Sequence, residues 1–315
     1  MKSDASQTAA RSAPDISVRI GKLVLKNPVT VASGCFAYGE EYNDLFDISA
    51  LGAIFVKAVS VEPRAGSPPP RIWETPAGMM NSIGLQNPGV EEFIIEKMPF
   101  LNSLDTHWFV NVVGARIEDY ARVIERIEEA GGAPGYELNI SCPNVEGEGM
   151  EFGRNEAVYT RLFEACRRAT DKTLVAKLTP NVTDITLQAR AAEDCGLDAI
   201  SVINTISAMA IDPATRKSRL GKPMGGLSGP AIRPVAVRMV YECANAVKIP
   251  IIGQGGIVTA DDALEFIIAG ATAVSIGTGL WLDPDCAMKV IGGIKDYLSQ
   301  NGIRSVGDLV GTVKA

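Results

Sequence analysis

Lys57 lies in the run AIFVKAV (53–59) and Lys177 in the run LVAKLTP (174–180). Two ammonium groups delivered by the ends of apolar strands need an anionic partner. A substrate carboxylate or a reduced flavin ring would both serve. A Schiff-base lysine is a competing role, but it wants an acid–base partner nearby, and the strand ends here offer Asn rather than Asp or Glu. Asn81, Asn139 and Asn204 each present one acceptor and two donors, which suits a planar cyclic amide or imide such as a pyrimidine. Cys142 follows the run YELNIS (136–141) and opens a loop holding Gly147, Gly149 and Gly153. With one histidine in the chain, His107, a thiolate is the available proton acceptor. Gly255-Gly256 and Gly277-Thr278-Gly279 end two later apolar runs. Paired glycines there let a backbone approach a phosphate closely.

These residues need elements to hold them. Eight apolar, β-branched runs cover 28–33, 53–59, 107–113, 136–141, 174–180, 199–205, 250–256 and 273–279. Helical patterns fill 118–130, 156–169, 183–195, 230–247, 259–269 and 284–299. Thr259-Ala-Asp-Asp262 reads as a capping box, and Pro284 as an early helical position. Continuous rather than alternating strands imply burial on both faces, hence a parallel sheet covered by helices. Eight such units predict a closed (β/α)8 TIM barrel. An open doubly wound sheet would show G-x-G-x-x-G after its first strand, and Ala32-Ser33-Gly34-Cys35 lacks that spacing. Residues 16–25, with Gly21 at the bend, predict a small β-hairpin plugging the N-terminal end. In a barrel, Ser33, Lys57, Asn111, Asn139, Ser141, Lys177, Asn204 and Thr205 then share the catalytic C-terminal rim. Two long connections stand out: 60–89, with little helical pattern, and the glycine-bearing loop after Ser141. The other five cysteines read as core fillers, leaving Cys142 as the cysteine of the rim.

Composition narrows the function further. The chain has 315 residues, 46% hydrophobic and 21% charged, with 30 Lys and Arg against 37 Asp and Glu. A net charge of −7 and 6% aromatic residues argue against a nucleic-acid partner. No apolar run reaches the roughly 18 residues of a membrane span. The first fifteen residues have no apolar h-region and read as a disordered tail ahead of a single domain at 16–315, in a cytoplasmic protein. No two of the six cysteines lie within 23 residues of each other, so neither zinc nor iron–sulfur spacing is present, and no metal site is expected.

Together, Asn81-Ser-Ile-Gly-Leu-Gln-Asn-Pro-Gly89, Asn139-Ile-Ser-Cys-Pro-Asn144, Lys177-Leu-Thr-Pro-Asn181, Gly226-Leu-Ser-Gly-Pro230 and Ile252-Gly-Gln-Gly-Gly-Ile257 resemble class 1 dihydroorotate dehydrogenases over roughly 25–300. Gln86 and the Gly226 segment look like type B, the NAD-linked form. The resemblance implies one FMN per chain and oxidation of (S)-dihydroorotate to orotate in de novo pyrimidine biosynthesis. It implies Cys142 as the base at C5 and Lys57 between flavin and substrate carboxylate. Lys57, Asn81, Ser82, Ile83, Gly84, Leu85, Asn139, Asn204 and Thr205 would hold substrate. Ser33, Lys57, Ala58, Asn111, Asn139, Lys177, Ile203, Gly229, Gly255, Gly256, Gly277 and Thr278 would line FMN. It also implies a homodimer core joined by a second subunit with FAD and a [2Fe–2S] cluster, a heterotetramer passing electrons to NAD+. A dihydropyrimidine dehydrogenase-type subunit and a fumarate-linked type A enzyme are the alternatives within this barrel. A flavin-free isomerase or aldolase, and a non-catalytic FMN-binding partner, are those outside it.

Overall fold

The eight apolar runs form eight parallel strands that close on one another, each hydrogen-bonded to the next in chain order. The computed structural model describes residues 13–141 and 152–314. A hairpin comes first, β1 (Val18–Ile20) and β2 (Leu23–Leu25), antiparallel. Its bend, Gly21, has φ +55°, and a Cβ there would stand 2.7 Å from Asp198 Cβ and 2.8 Å from Thr173 Cγ2. Both partners lie at N-terminal ends of barrel strands, so the hairpin covers that end, as the sequence implies.

The barrel strands that follow are β3 (Val29–Val31) and β4 (Ala53–Val59). Next comes an excursion, β5 (Ile72–Thr75) and β6 (Gly78–Asn81). The barrel resumes with β7 (His107–Val112), β8 (Gly135–Asn139), β9 (Thr173–Lys177) and β10 (Ala199–Val202). A second excursion holds β11 (Ile206–Ala208), the two-residue strands β12 (Ile211–Asp212) and β13 (Lys217–Ser218), and β14 (Gly225–Ser228). β15 (Ile251–Gln254) and β16 (Ala273–Ile276) complete the barrel, and β16 pairs with β3.

The helices obey the 3.6-residue period that packs one face on a sheet. In Ile117–Glu129 the buried positions are Ile117, Tyr120, Val123, Ile124 and Ile127. The capping box at Thr259 is present: Thr259 Oγ1 accepts from the Asp262 amide at 3.2 Å, and Asp262 Oδ2 accepts from the Thr259 amide at 2.8 Å. One detail differs from expectation. The last long helix begins at Cys286, so Pro284 lies before it rather than in its first turn.

The connection 60–89 also differs from its reading as a long loop. β5 and β6 pair there, and β6 pairs with β14, giving a four-stranded antiparallel sheet in the order β11-β14-β6-β5. Its strands are three or four residues long, and β14 reads Gly-Gly-Leu-Ser. They are half-exposed and carry no apolar alternation, so periodicity does not reveal them. The excursions leave the C-terminal ends of β4 and β10, which places this small sheet as a roof on the catalytic face.

Candidate active site

Inside the barrel, side chains at i and i+2 of each strand point inward. Low in the barrel, Phe55 and Phe109 stack with centroids 4.5 Å apart, and Gly135 leaves room for the Phe109 ring, 2.4 Å from where a Cβ would lie. Two residues further along β7, β8 and β9 the lining turns polar, with Asn111, Glu137, Asn139 and Lys177 all buried. Asn111 Nδ2 donates to Glu137 Oε2 at 2.6 Å, and Ser201 Oγ donates to Glu137 Oε1 at 2.9 Å. Lys177 Nζ lies 3.8 Å from Glu137 Oε2 and 3.5 Å from Ser33 Oγ. Asn139 Nδ2 donates to Asn111 Oδ1 at 3.4 Å. Asn204 Nδ2 donates both to Asn139 Oδ1 at 3.2 Å and to Ser141 Oγ at 2.9 Å.

The roof adds the remaining sequence-derived residues. Asn81, ending β6, stands opposite Gly226 of β14, whose carbonyl accepts from Asn81 Nδ2 at 3.3 Å. A Cβ on Gly226 would fall 2.0 Å from Thr205 Oγ1, so the glycine lets Thr205 press against the roof. Thr205 donates its amide to Asn204 Oδ1 at 2.8 Å, joining roof to barrel. Past Asn81 the chain turns through Gly84 and Leu85, both at positive φ (+74° and +56°). Ser82 donates its amide to the Arg71 carbonyl, and the Ile83 carbonyl accepts from Ser67.

The glycines after β15 and β16 meet at one place. Gly255 and Gly256 have φ of +129° and +82°, and a Cβ on Gly256 would lie 2.7 Å from the Gly229 carbonyl. Gly229, at φ +89°, is 3.5 Å by the same construction from Thr278 Cγ2. Thr278 Oγ1 donates to Ser228 Oγ at 2.8 Å. Ala58 and Ile203 are buried beside their strand ends, and the Ile203 amide donates to the Gln254 carbonyl. Burial pulls the Lys57 ammonium below the ordinary lysine pKa, and the neighbouring Arg71 guanidinium adds to the pull against Glu41.

Cys142 lies outside the described residues. The expectation that it alone among the cysteines occupies the rim is corrected by Cys35. A Cβ on Gly277 would be 3.5 Å from Cys35 Sγ, in the short helix Ser33–Phe36 that follows β3. Burial pushes the Cys35 thiol up to about 11, against the pull of Lys177.

A family profile described as dihydroorotate dehydrogenase matches residues 15–298. A relative from Thermoanaerobacter pseudethanolicus is 49% identical over 300 residues, covering 95% of this chain and 99% of its own length. Relatives from Geotalea daltonii and Bacteroides fragilis are also 49% identical, over 301 and 300 residues, and cover 99% of their own lengths. This chain belongs to the dihydroorotate dehydrogenase family. It is an oxidoreductase by that membership. All three relatives are named dihydroorotate dehydrogenase B (NAD(+)), catalytic subunit, the NAD-linked branch that Gln86 and the Gly226 segment resemble.

Dihydroorotate dehydrogenases use a flavin, and the residues present suit one. Gln254 Nε2 is buried without a hydrogen-bond partner, one residue before the Gly255-Gly256 cradle. A buried unpaired donor is costly, and a ring bearing carbonyl and nitrogen acceptors would relieve it. Among the described residues, no helix is long and apolar enough to cross a membrane. Sequence reasoning missed four groups that this geometry includes: Glu137, Ser201, Gln254 and Arg71. Glu137 was visible as an acid two positions before Asn139 in an apolar strand, hence on the same inward face. Ser201 and Gln254 could have been found by the same alternation. Arg71 carried no periodic signal.

Proposed function

We propose that this chain oxidises dihydroorotate to orotate at the C-terminal mouth of the barrel, with an FMN that would be held there, and that NAD+ receives the electrons through a partner subunit. The observation that carries this reading is the polar lining, in which Thr205, Asn204, Asn139 and Asn111 are hydrogen-bonded in series above the buried Lys177 while Asn81 is held on the Gly226 carbonyl beside Thr205. A planar ring with alternating carbonyl and N–H groups matches such an amide surface. Asn81, Ser82, Ile83, Gly84, Leu85, Asn139, Asn204 and Thr205 hold the substrate. Lys57, beside Arg71, pairs with its carboxylate.

Ser33, Lys57, Ala58, Asn111, Asn139, Lys177, Ile203, Gly229, Gly255, Gly256, Gly277 and Thr278 hold FMN, with the glycine backbone on the phosphate. When bound, FMN supplies the acceptor for the hydride that leaves C6. Cys142 takes the proton from C5 as a thiolate, so one proton and one hydride leave and the C5–C6 double bond forms. The Lys177 ammonium offsets negative charge on the cofactor. Residues 16–315 act as one FMN-binding domain, in the cytoplasm. The partner carries FAD and a [2Fe–2S] cluster around a dimer of this chain, since this sequence has neither cluster spacing nor a G-x-G-x-x-G fingerprint.

The test is anaerobic stopped-flow. Dihydroorotate should reduce the flavin of the pure chain. NAD+ should then reoxidise it rapidly only when the iron–sulfur flavoprotein is added. Rapid NAD+ reduction by the chain alone removes the partner from the scheme, and efficient turnover with fumarate assigns the chain to type A.

A further inference from the structure

We propose that Glu137 is the positioning residue that fixes which way Asn111 faces and so anchors the lower end of the asparagine series of the site. The proposal rests on the dihydroorotate reading above.

Glu137 is 2% exposed and sits on β8, two residues below Asn139. An ionised carboxylate can only accept hydrogen bonds, whereas an asparagine amide can be turned end for end with little change in shape. Glu137 therefore supplies a fixed acceptor at the Asn111 end of the series, as the Ser141 and Thr205 backbone amides supply fixed donors farther along it. Its Oε2 accepts from Asn111 Nδ2 at 2.6 Å, so Asn111 turns its NH2 downward and its Oδ1 toward Asn139. Asn139 answers with its own NH2, at 3.4 Å, and its Oδ1 is left facing the other way. That oxygen accepts from Asn204 Nδ2 at 3.2 Å and from the Ser141 amide at 3.2 Å. Asn204 Oδ1 is thereby turned to the Thr205 amide, 2.8 Å away. Reversing any one amide would set donor against donor along this series. The acceptor at the bottom and the backbone donors of Ser141 and Thr205 above it thus agree on one orientation of the three amides, and a ligand with alternating donors and acceptors meets them in one order only. The contacts of the Glu137 carboxylate are Asn111, Ser201 and Lys177. The second oxygen, held by Ser201 Oγ, and the Lys177 ammonium at 3.8 Å keep the carboxylate in place.

Two variants separate direction from charge. Glu137→Gln removes the charge but can keep an oxygen toward Asn111 and Lys177 while its NH2 faces Ser201 Oγ. Glu137→Asp keeps the charge but withdraws the acceptor by one methylene. The readouts are flavin content and the orotate-induced shift of the flavin spectrum, titrated to a Kd. Both variants should keep one FMN per chain. Glu137→Gln should bind orotate within about threefold of the unmodified protein, and Glu137→Asp roughly tenfold or more weakly, the scale of one lost buried hydrogen bond. The opposite order would show that charge is what matters and overturn the proposal. Unchanged orotate binding in both, or loss of FMN from both, would also overturn it, leaving Glu137 respectively idle or merely structural. Failure of the unmodified protein to bind orotate would count against the functional reading itself.

Discussion

The two halves of the site are held in different ways. The barrel half consists of side chains on long parallel strands: Asn111, Glu137, Asn139, Lys177 and Ser201 are buried and tied to one another by side-chain hydrogen bonds. The roof half consists of short strands from two excursions that are half-exposed and held by backbone pairing and by glycines that permit close approach. Side-chain changes in the barrel half should therefore act on the polar lining that cofactor and substrate share. Backbone changes in the roof should act on the substrate and leave the cofactor in place.

The sharpest break in that division is at the rim glycines. Gly256→Val puts a branched side chain at φ +82°, where its Cβ alone would lie 2.7 Å from the Gly229 carbonyl and 2.9 Å from Arg233 Cβ. The protein should purify folded but colourless, measured as flavin absorbance per chain. Retention of a full flavin complement would move the phosphate site elsewhere.

Next in size is Cys142→Ala. Loss of a positioned base costs roughly 10²–10⁴-fold in the rate of flavin reduction. FMN and orotate binding should be unaffected, since neither depends on the thiol. In the unmodified protein the rate should rise with pH and level off, the profile of a base that acts as a thiolate.

A roof change should be milder and of another kind. Gly226→Ala brings a methyl within 2.0 Å of Thr205 Oγ1, so β14 or Thr205 has to move. The expected result is a KM for dihydroorotate raised about tenfold with flavin content unchanged, equivalent to about 1.4 kcal/mol of lost binding. Loss of FMN in this variant would erase the distinction between the two halves.

The smallest effect is expected at Cys35, the second thiol of the rim. With its thiol pushed up to about 11, it stays protonated at neutral and mildly alkaline pH. Cys35→Ala should reduce flavin within about threefold of the unmodified rate across that range. A pH profile whose rise is centred near 11, and is lost in Cys35→Ala, would transfer the base role from Cys142 to Cys35.

The barrel was legible because its strands are buried on both faces, so Val, Ile and Ala run continuously and the helices between them keep their period. The run 53–59 and β4 coincide. The site was legible where polar residues interrupt those runs at their ends, as at Lys177 and Asn139. The roof was not, because Ile72–Thr75 and Gly225–Ser228 owe their places to pairing on either side of β6 rather than to any pattern of their own. Glu137 was passed over because it lies inside a strand, one layer below the rim. A charge in that position is held only by partners on neighbouring strands, which local pattern does not display.

The central claim is that this barrel mouth oxidises dihydroorotate with a bound flavin. Anaerobic single-turnover mixing of the purified chain with excess dihydroorotate, with flavin absorbance and orotate recorded together, tests it most directly. The account expects the flavin to bleach completely with one orotate formed per flavin. A flavin that stays oxidised, or that bleaches without forming orotate, would contradict it.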